Sequence, residues 1–317
     1  MGNRIVSIEP LGKELLDNLC RAGLNVIIVN RGEDMLSSLA KIDPEVLICR
    51  DRDDIKGVVS RCNNIKMLFT VEVGVEEMPF ETLKKQEIRL ANTSGISADI
   101  MSTYALSCVL ASAARLKENI INQQKNIWKR YQCTDSLFGK MLLIVGAGRT
   151  GREVAKKAKP FGLHIVGIQR TPRELDGFDE TGSLDNLDTY LKQADFVVCT
   201  IPLTPLTNHL FTSERFKLMK ENSVFVNISR GDIICENDLL SALNQGKMSH
   251  AYLDVFEKEP LPLDSALWNH PQVVITPHQA GRLDNYMSHA MEMFVDNYYA
   301  FAKGEVMPNE VNLSQGY

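Results

Sequence analysis

Residues 142–153 of this chain are Leu-Leu-Ile-Val-Gly-Ala-Gly-Arg-Thr-Gly-Arg-Glu, an apolar run that leads into three glycines spaced as Gly146-x-Gly148-x-x-Gly151. Between a strand and a helix, this spacing suits a dinucleotide pyrophosphate. The first glycine allows a tight turn, the second lets the backbone approach the phosphates, and the third lets helix and strand pack closely. The helix N-terminus adds free N–H groups and a positive dipole end. The flanking residues fit this arrangement, so the segment predicts a nucleotide-binding site rather than a glycine-rich turn without a ligand.

The fingerprint lies near the middle of 317 residues, a length that accommodates two domains. Short apolar strands alternate with helical stretches on both sides of it, which predicts parallel sheets covered by helices. The strands predicted before it are 5–8, 25–29, 46–49, 67–70 and 88–92. Those predicted from it onward number about six: 141–145, 164–169, 195–200, 223–228, 249–254 and 272–276.

A helical stretch over residues 96–128 connects the two halves, and a last helix over 283–303 follows the second sheet. Because that sheet is already complete, the last helix is expected to return to the first domain. We therefore predict an α/β fold with two doubly wound parallel-sheet domains. In it a Rossmann cofactor domain, residues 99–281, is inserted into a flavodoxin-like domain formed by residues 1–98 and 282–317.

Composition narrows the class of protein. The net charge is −5 with no basic stripe, so we expect no nucleic-acid partner. The connecting helical stretch is too polar for a membrane span, and the N-terminal residues do not resemble a secretory signal. Seven scattered cysteines, with no CxxC and no Cys/His cluster, predict reduced thiols in a cytoplasmic protein and no metal site.

The choice of cofactor is made at the end of the second strand of such a domain, where an NAD site places a carboxylate. Here that strand ends in Gln169-Arg170-Thr171-Pro172-Arg173, with two guanidiniums and a hydroxyl instead. Arginines form paired hydrogen bonds to phosphate oxygens and therefore suit a 2′-phosphate. The segment favours NADP(H), and NAD(H) stays possible because exposed arginines are common.

Three ionisable residues follow three strands of the second half. Arg230 follows residues 223–228, Glu259 lies in the loop after 249–254, and His278 follows 272–276. Groups at the carboxyl ends of parallel strands gather at one crevice, so these three are expected to converge. Each alone also fits an ordinary role as a helix cap, an exposed turn acid or a loop histidine.

These segments, together with Val-Gly-Ala-Gly-Arg-Thr-Gly at 145–151 and Ile-Pro-Leu-Thr-Pro-Leu-Thr at 201–207 followed by His209, resemble the D-isomer-specific 2-hydroxyacid dehydrogenase family over nearly the whole chain. The resemblance implies that Arg230, Glu259 and His278 are catalytic. His278 would be the general acid, and Glu259 would orient its ring and keep it protonated. Arg230 would bind the carboxylate or keto oxygen of the substrate.

The resemblance also implies which further residues bind ligands. The flavodoxin-like domain becomes the substrate domain, and its Val73 and Gly74 would offer backbone amides to the substrate beside Arg230 and His278. Val73 and the neighbouring Glu72 depart from the commoner pattern, which leaves the substrate open. The residues expected at the cofactor are Gly146, Gly148, Arg149, Thr150, Gly151, Gln169, Arg170, Thr171, Arg173, Thr200, Pro202, Thr207, Ile228, Ser229 and Asp254.

The leading hypothesis is NADPH-dependent reduction of a small 2-keto acid, such as glyoxylate, hydroxypyruvate or pyruvate, to the D-2-hydroxy acid. An NAD-dependent oxidative dehydrogenase of the phosphoglycerate type is an alternative, and the arginine-containing loop argues against it. A formate dehydrogenase is disfavoured, because such relatives carry Gln where this chain has Glu259. A dinucleotide-sensing, corepressor-like binding protein on the same fold is an alternative of another class. The family implies a homodimer, with residues 96–128 as the expected contact.

Overall fold

The structure, a computed structural model, describes residues 4–130, 134 and 136–316. Two compact units divide the chain, with boundaries at Ile96/Ser97 and at Arg282/Leu283. The first unit combines the N-terminal third with the C-terminal helix and tail, and the second is the continuous middle of the chain.

The first unit contains a five-stranded parallel sheet in the order β2-β1-β3-β4-β5. This order is the flavodoxin-like one. Its strands are β1 (Ile5–Ser7), β2 (Val26–Ile28), β3 (Val46–Cys49), β4 (Met67–Thr70) and β5 (Arg89–Ala91). Its helices are α1 (Lys13–Arg21), α2 (Met35–Ile42), α3 (Ile55–Arg61), α4 (Phe80–Lys85) and, at the end of the chain, α11 (Tyr286–Ala302). The ring of Phe294 on α11 packs edge-on against Phe69 on β4, 5.3 Å between centroids, which anchors the last helix to this sheet.

The second unit contains a seven-stranded parallel sheet in the order β12-β11-β10-β9-β6-β7-β8. The order in which strands are added to the sheet reverses between β6 and β9, because β7 and β8 lie on one side of β6 and β9 to β12 lie on the other. Open α/β sheets bind ligands at such a point, at the carboxyl ends of the strands. The strands are β6 (Met141–Val145), β7 (His164–Ile168), β8 (Glu180–Gly182), β9 (Phe196–Cys199), β10 (Ser223–Asn227), β11 (Met248–Leu253) and β12 (Val273–Ile275). The helices are α5 (Ala98–Ala113), α6 (Leu116–Gln124), α7 (Arg149–Ala158), α8 (Leu187–Leu191), α9 (Ser213–Leu218) and α10 (Glu236–Asn244).

The predicted fold class is confirmed: both sheets are parallel and covered by helices. Two details of the prediction were wrong. The edge strand β8 was not predicted, because its three residues, Glu-Thr-Gly, lack an apolar pattern. The helical stretch over 96–128 is two helices, because Arg115 has a φ of 51° and ends α5 before α6 begins.

Within residues 4–130, 134 and 136–316, no group of three or more His, Cys, Asp or Glu side chains is arranged to hold a metal ion. No helix in the same ranges has the length and apolarity needed to cross a membrane.

Candidate active site

Close backbone contacts require two of the three glycines of the fingerprint, and the third borders open space. Gly146 has a φ of 110°, and a Cβ there would lie 2.6 Å from the backbone nitrogen of Ile201. A Cβ on Gly151 would lie 2.2 Å from the carbonyl oxygen of Gly146, so the start of α7 packs directly against the turn. A Cβ on Gly148 would meet nothing within 4 Å, which leaves open space at the N-terminus of α7. Residues Arg149 and Thr150 form the first turn of that helix. The cradle therefore fits a pyrophosphate, as the dinucleotide prediction requires.

The turn after β9 supports the glycine cradle. The Thr200 hydroxyl donates to the carbonyl oxygen of Gly146, 2.7 Å. The buried Thr207 hydroxyl donates to the carbonyl oxygen of Pro202, 2.7 Å, and accepts the N–H of Thr204, 2.8 Å. Thr200 thus fixes the glycine turn, and Thr207 stabilises the neighbouring loop.

The segment after β7 is exposed and basic. Arg170, Thr171 and Arg173 are all exposed to solvent. The Gln169 side-chain amide donates to the carbonyl oxygen of Arg173, 2.7 Å, which closes residues 169–173 into a tight loop. The loop presents its guanidinium groups at the place where a Rossmann domain distinguishes NADP from NAD.

His278 and Glu259 are within hydrogen-bonding distance, as the sequence predicted that they would converge. The His278 Nδ1 lies 2.7 Å from Glu259 Oε2. The other carboxylate oxygen, Oε1, accepts the N–H of Phe256, 3.1 Å, so the carboxylate is held from both sides. Because Glu259 accepts the Nδ1 proton, Nε2 is the ring atom that can transfer a proton to a ligand. The pair has the geometry of an oriented general acid.

Arg230 ends the turn after β10, and a buried asparagine shapes that turn. The side-chain oxygen Oδ1 of Asn227 accepts the N–H and the hydroxyl of Ser229, 3.1 and 2.7 Å, and its side-chain amide donates to the backbone carbonyl oxygen of Arg230, 2.9 Å. The Arg230 guanidinium donates to the carbonyl oxygen of Ser229, 2.9 Å. Ile228 and Ser229 are both buried in this turn. Sequence reasoning placed Arg230 at the strand end but did not assign Asn227 its role.

Gly231 brings the Arg230 turn against the Glu259 turn. A Cβ on Gly231 would lie 1.9 Å from the carbonyl carbon of Phe256 and 2.4 Å from the backbone nitrogen of Glu257. Only glycine permits this approach, so the backbone beside Arg230 rests directly on the residue whose N–H binds Glu259. This contact physically couples two of the three predicted catalytic residues.

Asp254 holds the loop that carries His278. Its carboxylate accepts the N–H groups of Gln279 and Ala280, 3.0 and 2.8 Å, and the hydroxyl of Thr276. Its carbonyl oxygen accepts the N–H of His278, 2.8 Å. The family resemblance implies that Asp254 lies at the cofactor. The structure shows that its carboxylate scaffolds the loop of His278, and the only sequence signal for this role was a carboxylate at a strand end.

In the first unit, the loop after β4 contains Val73 and Gly74. The Val73 carbonyl oxygen accepts the side-chain amide of Asn92, 2.7 Å, which fixes the loop. Among the residues that the structure describes, neither the Val73 nor the Gly74 N–H has a hydrogen-bond acceptor. Both amides are therefore available to an anion.

The same loop is rich in carboxylates. Glu72 accepts the N–H of Asp51, 2.8 Å, and lies 3.7 Å from the Arg50 guanidinium. Burial raises the pKa of Asp51 to about 6, and the neighbouring Glu76, Glu72 and Glu77 carboxylates add to the effect, against the N–H of Glu77 that the Asp51 carboxylate accepts. Several carboxylates therefore lie together beside this loop.

The Arg50 guanidinium near this loop is already paired. It donates two hydrogen bonds to the buried Glu9, 2.7 and 2.6 Å. Arg31 donates to Glu9 as well, 2.9 Å, and also binds Asp53. Burial opposes ionisation of Glu9, but the hydrogen bonds from Arg50 and Arg31 outweigh it and lower its pKa. The cluster leaves no excess of positive charge beside Val73 and Gly74.

Comparison with known proteins gives consistent matches. The family model of the NAD binding domain of D-isomer specific 2-hydroxyacid dehydrogenases matches residues 106–280. A glyoxylate reductase from Thermococcus litoralis is 33% identical over 88% of this chain and 86% of its own length. A D-3-phosphoglycerate dehydrogenase from Methanocaldococcus jannaschii is 30% identical over 98% of this chain, which spans only 59% of that protein.

A solved structure matches both units. The D-isomer specific 2-hydroxyacid dehydrogenase from Xanthobacter autotrophicus Py2, crystallised in complex with NADPH and MES, is 26% identical with a TM-score of 0.88. The match covers all of this chain and all of that one.

Proposed function

Because this chain belongs to the D-isomer-specific 2-hydroxyacid dehydrogenase family, we propose that it reduces a small 2-keto acid to the D-2-hydroxy acid with NADPH. The observation that carries the proposal is the bond of 2.7 Å between His278 Nδ1 and Glu259 Oε2. With Nδ1 bound to Glu259, Nε2 is the ring nitrogen left to act as the proton donor. The relatives named as glyoxylate reductases support the same chemistry.

Each of the three residues has one task in this proposal. When bound at the glycine cradle, NADPH supplies the hydride. The Nε2 of His278 donates the proton to the keto oxygen, and the Glu259 carboxylate stabilises the imidazolium form through Nδ1. Arg230 binds the substrate carboxylate or keto oxygen, since a guanidinium binds such oxygens with paired hydrogen bonds. The backbone N–H groups of Val73 and Gly74 donate hydrogen bonds to the substrate in this proposal.

The preference for NADPH is proposed from the loop after β7. Arg170 and Arg173 are exposed there, and no Asp or Glu occupies residues 169–173 to repel a phosphate. The structural relative crystallised with NADPH is consistent with this proposal. The kcat/KM for reduction of one keto acid should be measured with NADPH and with NADH. A higher kcat/KM with NADPH is expected, and an equal or higher value with NADH would refute the preference.

The substrate is proposed to be a 2-keto acid with an uncharged side chain, such as glyoxylate, hydroxypyruvate or pyruvate. Glu72 and Asp51 beside Val73 repel a second negative charge, and Arg50 is paired with Glu9. A phosphorylated or dicarboxylic substrate would have to overcome this repulsion. For two like charges about 8 Å apart, one on the substrate and one on a carboxylate, the repulsion at an effective dielectric constant of about 20 is about 2 kcal/mol. This corresponds to about 30-fold in kcat/KM.

The test is a panel of keto acids that differ in charge, followed by the loss of NADPH absorbance. Glyoxylate, hydroxypyruvate and pyruvate should be reduced faster than oxaloacetate, 2-ketoglutarate and phosphohydroxypyruvate. A faster rate with the phosphorylated compound would refute the substrate class. No NADPH consumption with any compound would refute the reductase and favour the dinucleotide-sensing binding protein.

A homodimer is proposed through α6 and the residues after it. Leu116, Ile120, Ile127 and Trp128 expose apolar side chains, and Trp128 is 90% exposed. Such a surface fits a second copy of the chain. Sedimentation velocity should give a dimer for the wild type and a monomer for Ile120→Glu. A wild-type monomer at micromolar concentration would contradict the proposal.

A cytoplasmic location is also proposed. Six cysteines in the described ranges are free thiols. Burial raises the pKa of the Cys49, Cys108 and Cys199 thiols, so they are unreactive. Free thiols are typical of a reducing compartment. Cell fractionation should recover the protein with cytosolic markers, and recovery from the medium in disulfide-bonded form would contradict the proposal.

A further inference from the structure

The carbonyl oxygen of Arg173 accepts hydrogen bonds from two side chains. The Gln169 amide donates from the end of β7, 2.7 Å, and the Thr181 hydroxyl donates from β8, 2.9 Å. The N–H of Gln169 also donates to the carbonyl oxygen of Gly182, 2.9 Å, so the ends of the two strands are joined at the same level. The exposed loop 169–173 is therefore joined to β8, although Thr181 lies twelve positions after Gln169 in the sequence.

Thr181 is a firm anchor because the segment around it is fixed to the sheet. It pairs with Gly167 across the β7–β8 ladder. The ring of Phe178 covers Gly167, where a Cβ would lie 2.6 Å from the ring. The N–H of Asp179 donates to the carbonyl oxygen of Ile165, 2.8 Å, and the Asp179 carboxylate accepts the N–H of Ile165, 2.8 Å. Residues 178–182 are thus held in place on the side of the loop where Thr181 lies.

We propose that Thr181 is a specificity-determining positioning residue that holds Arg173 for the 2′-phosphate of NADPH. This inference rests on the proposed use of NADPH. Ordering the backbone of an exposed loop costs free energy on binding. The ring of Pro172 already fixes its own φ, and the two hydrogen bonds to the carbonyl oxygen of Arg173 fix the backbone of Arg173. When NADPH binds, only side chains of the loop then have to be ordered.

The test removes the hydroxyl and keeps the shape. Thr181→Val has nearly the same volume and suits a strand, but it cannot donate to Arg173. Thr181→Ser keeps the donor. Thr189→Val, at an exposed threonine on α8, is the matched control. The measurements are the dissociation constants of 2′-AMP and 5′-AMP and the kcat/KM values with NADPH and NADH, with thermal unfolding to show that each variant is folded.

One neutral hydrogen bond is worth about 0.5–1.5 kcal/mol, which corresponds to about twofold to 13-fold in affinity. Thr181→Val should weaken the binding of 2′-AMP by that factor and leave the binding of 5′-AMP unchanged. It should lower the NADPH/NADH ratio of kcat/KM to the same extent, mainly through the KM for NADPH. Thr181→Ser should restore the ratio, and Thr189→Val should match the wild type.

The outcomes separate this inference from the proposed cofactor. If the wild type binds 2′-AMP no better than 5′-AMP, the NADPH preference fails and the inference with it. If the wild type prefers 2′-AMP and Thr181→Val keeps the full preference, the inference is overturned and the NADPH preference stands. Equal losses with 2′-AMP and 5′-AMP would show a purely structural role and would also overturn it.

Discussion

Gly231→Ala should disable the enzyme without abolishing cofactor binding. The added Cβ would lie 1.9 Å from the carbonyl carbon of Phe256, about 1.5 Å closer than the 3.4 Å at which ordinary contact begins. The obstacle is backbone and not a flexible side chain, so the turn has to move by about 1 Å or more. Phe256 donates to Glu259, and Glu259 orients His278. A displacement of 1 Å can cost on the order of 100-fold in rate.

The assay is kcat/KM for glyoxylate with NADPH, with NADPH binding measured by fluorescence and stability by urea unfolding. We expect a loss of about 100-fold or more in kcat/KM, a loss of about 1–3 kcal/mol in stability, and NADPH binding within a few-fold of the wild type. Gly12→Ala is the control, because its Cβ would meet nothing within 4 Å and its φ is −66°. A kcat/KM within threefold of the wild type would refute the coupling between the two turns.

Three further substitutions test the roles of Glu259, Arg230 and Asp51. Glu259→Gln keeps the size but removes the charge beside His278, so kcat should fall about 10- to 100-fold at neutral pH; a change below twofold would contradict its role. Arg230→Lys loses the paired donors, so KM for glyoxylate should rise at least about tenfold. An unchanged KM would show that Arg230 does not bind the substrate. The pKa of Asp51 is raised to about 6 from 3.8, so its stabilising contribution is present below about pH 4 and lost as the pH rises through about 6. Asp51→Asn should therefore match wild-type stability near pH 4 and exceed it by up to about 3 kcal/mol near pH 8 in urea unfolding; a constant difference across that range would contradict the assignment.

The fold was predictable because its strands are short apolar runs that alternate with helices. The two features that escaped prediction are those that tertiary context determines. β8 (Glu180–Gly182) is polar and forms only because β7 offers its edge. The break between α5 and α6 depends on the backbone of Arg115, whose side chain is that of an ordinary helix former.

The candidate site was predictable to the extent that its residues follow strands. His278 and Glu259 were expected to converge, and they lie within hydrogen-bonding distance. The residues that hold them were not predicted, since their roles are visible only as contacts. Gly231 is one glycine among 20 until its approach to Phe256 is known. Asp254 was assigned to the cofactor alone, and its bonds to the loop of His278 span more than 20 residues.

The role of His278 as proton donor is tested most directly by the rate of NADPH oxidation with glyoxylate for the wild type and His278→Gln at neutral pH, with NADPH titrated into both proteins. We predict that the wild type consumes NADPH, that His278→Gln is slower by about 10²–10⁴-fold, and that both bind NADPH equally well. If His278→Gln retains the wild-type rate, or if the wild type reduces neither glyoxylate nor any other small keto acid, the account of a reductase with His278 as its proton donor is wrong.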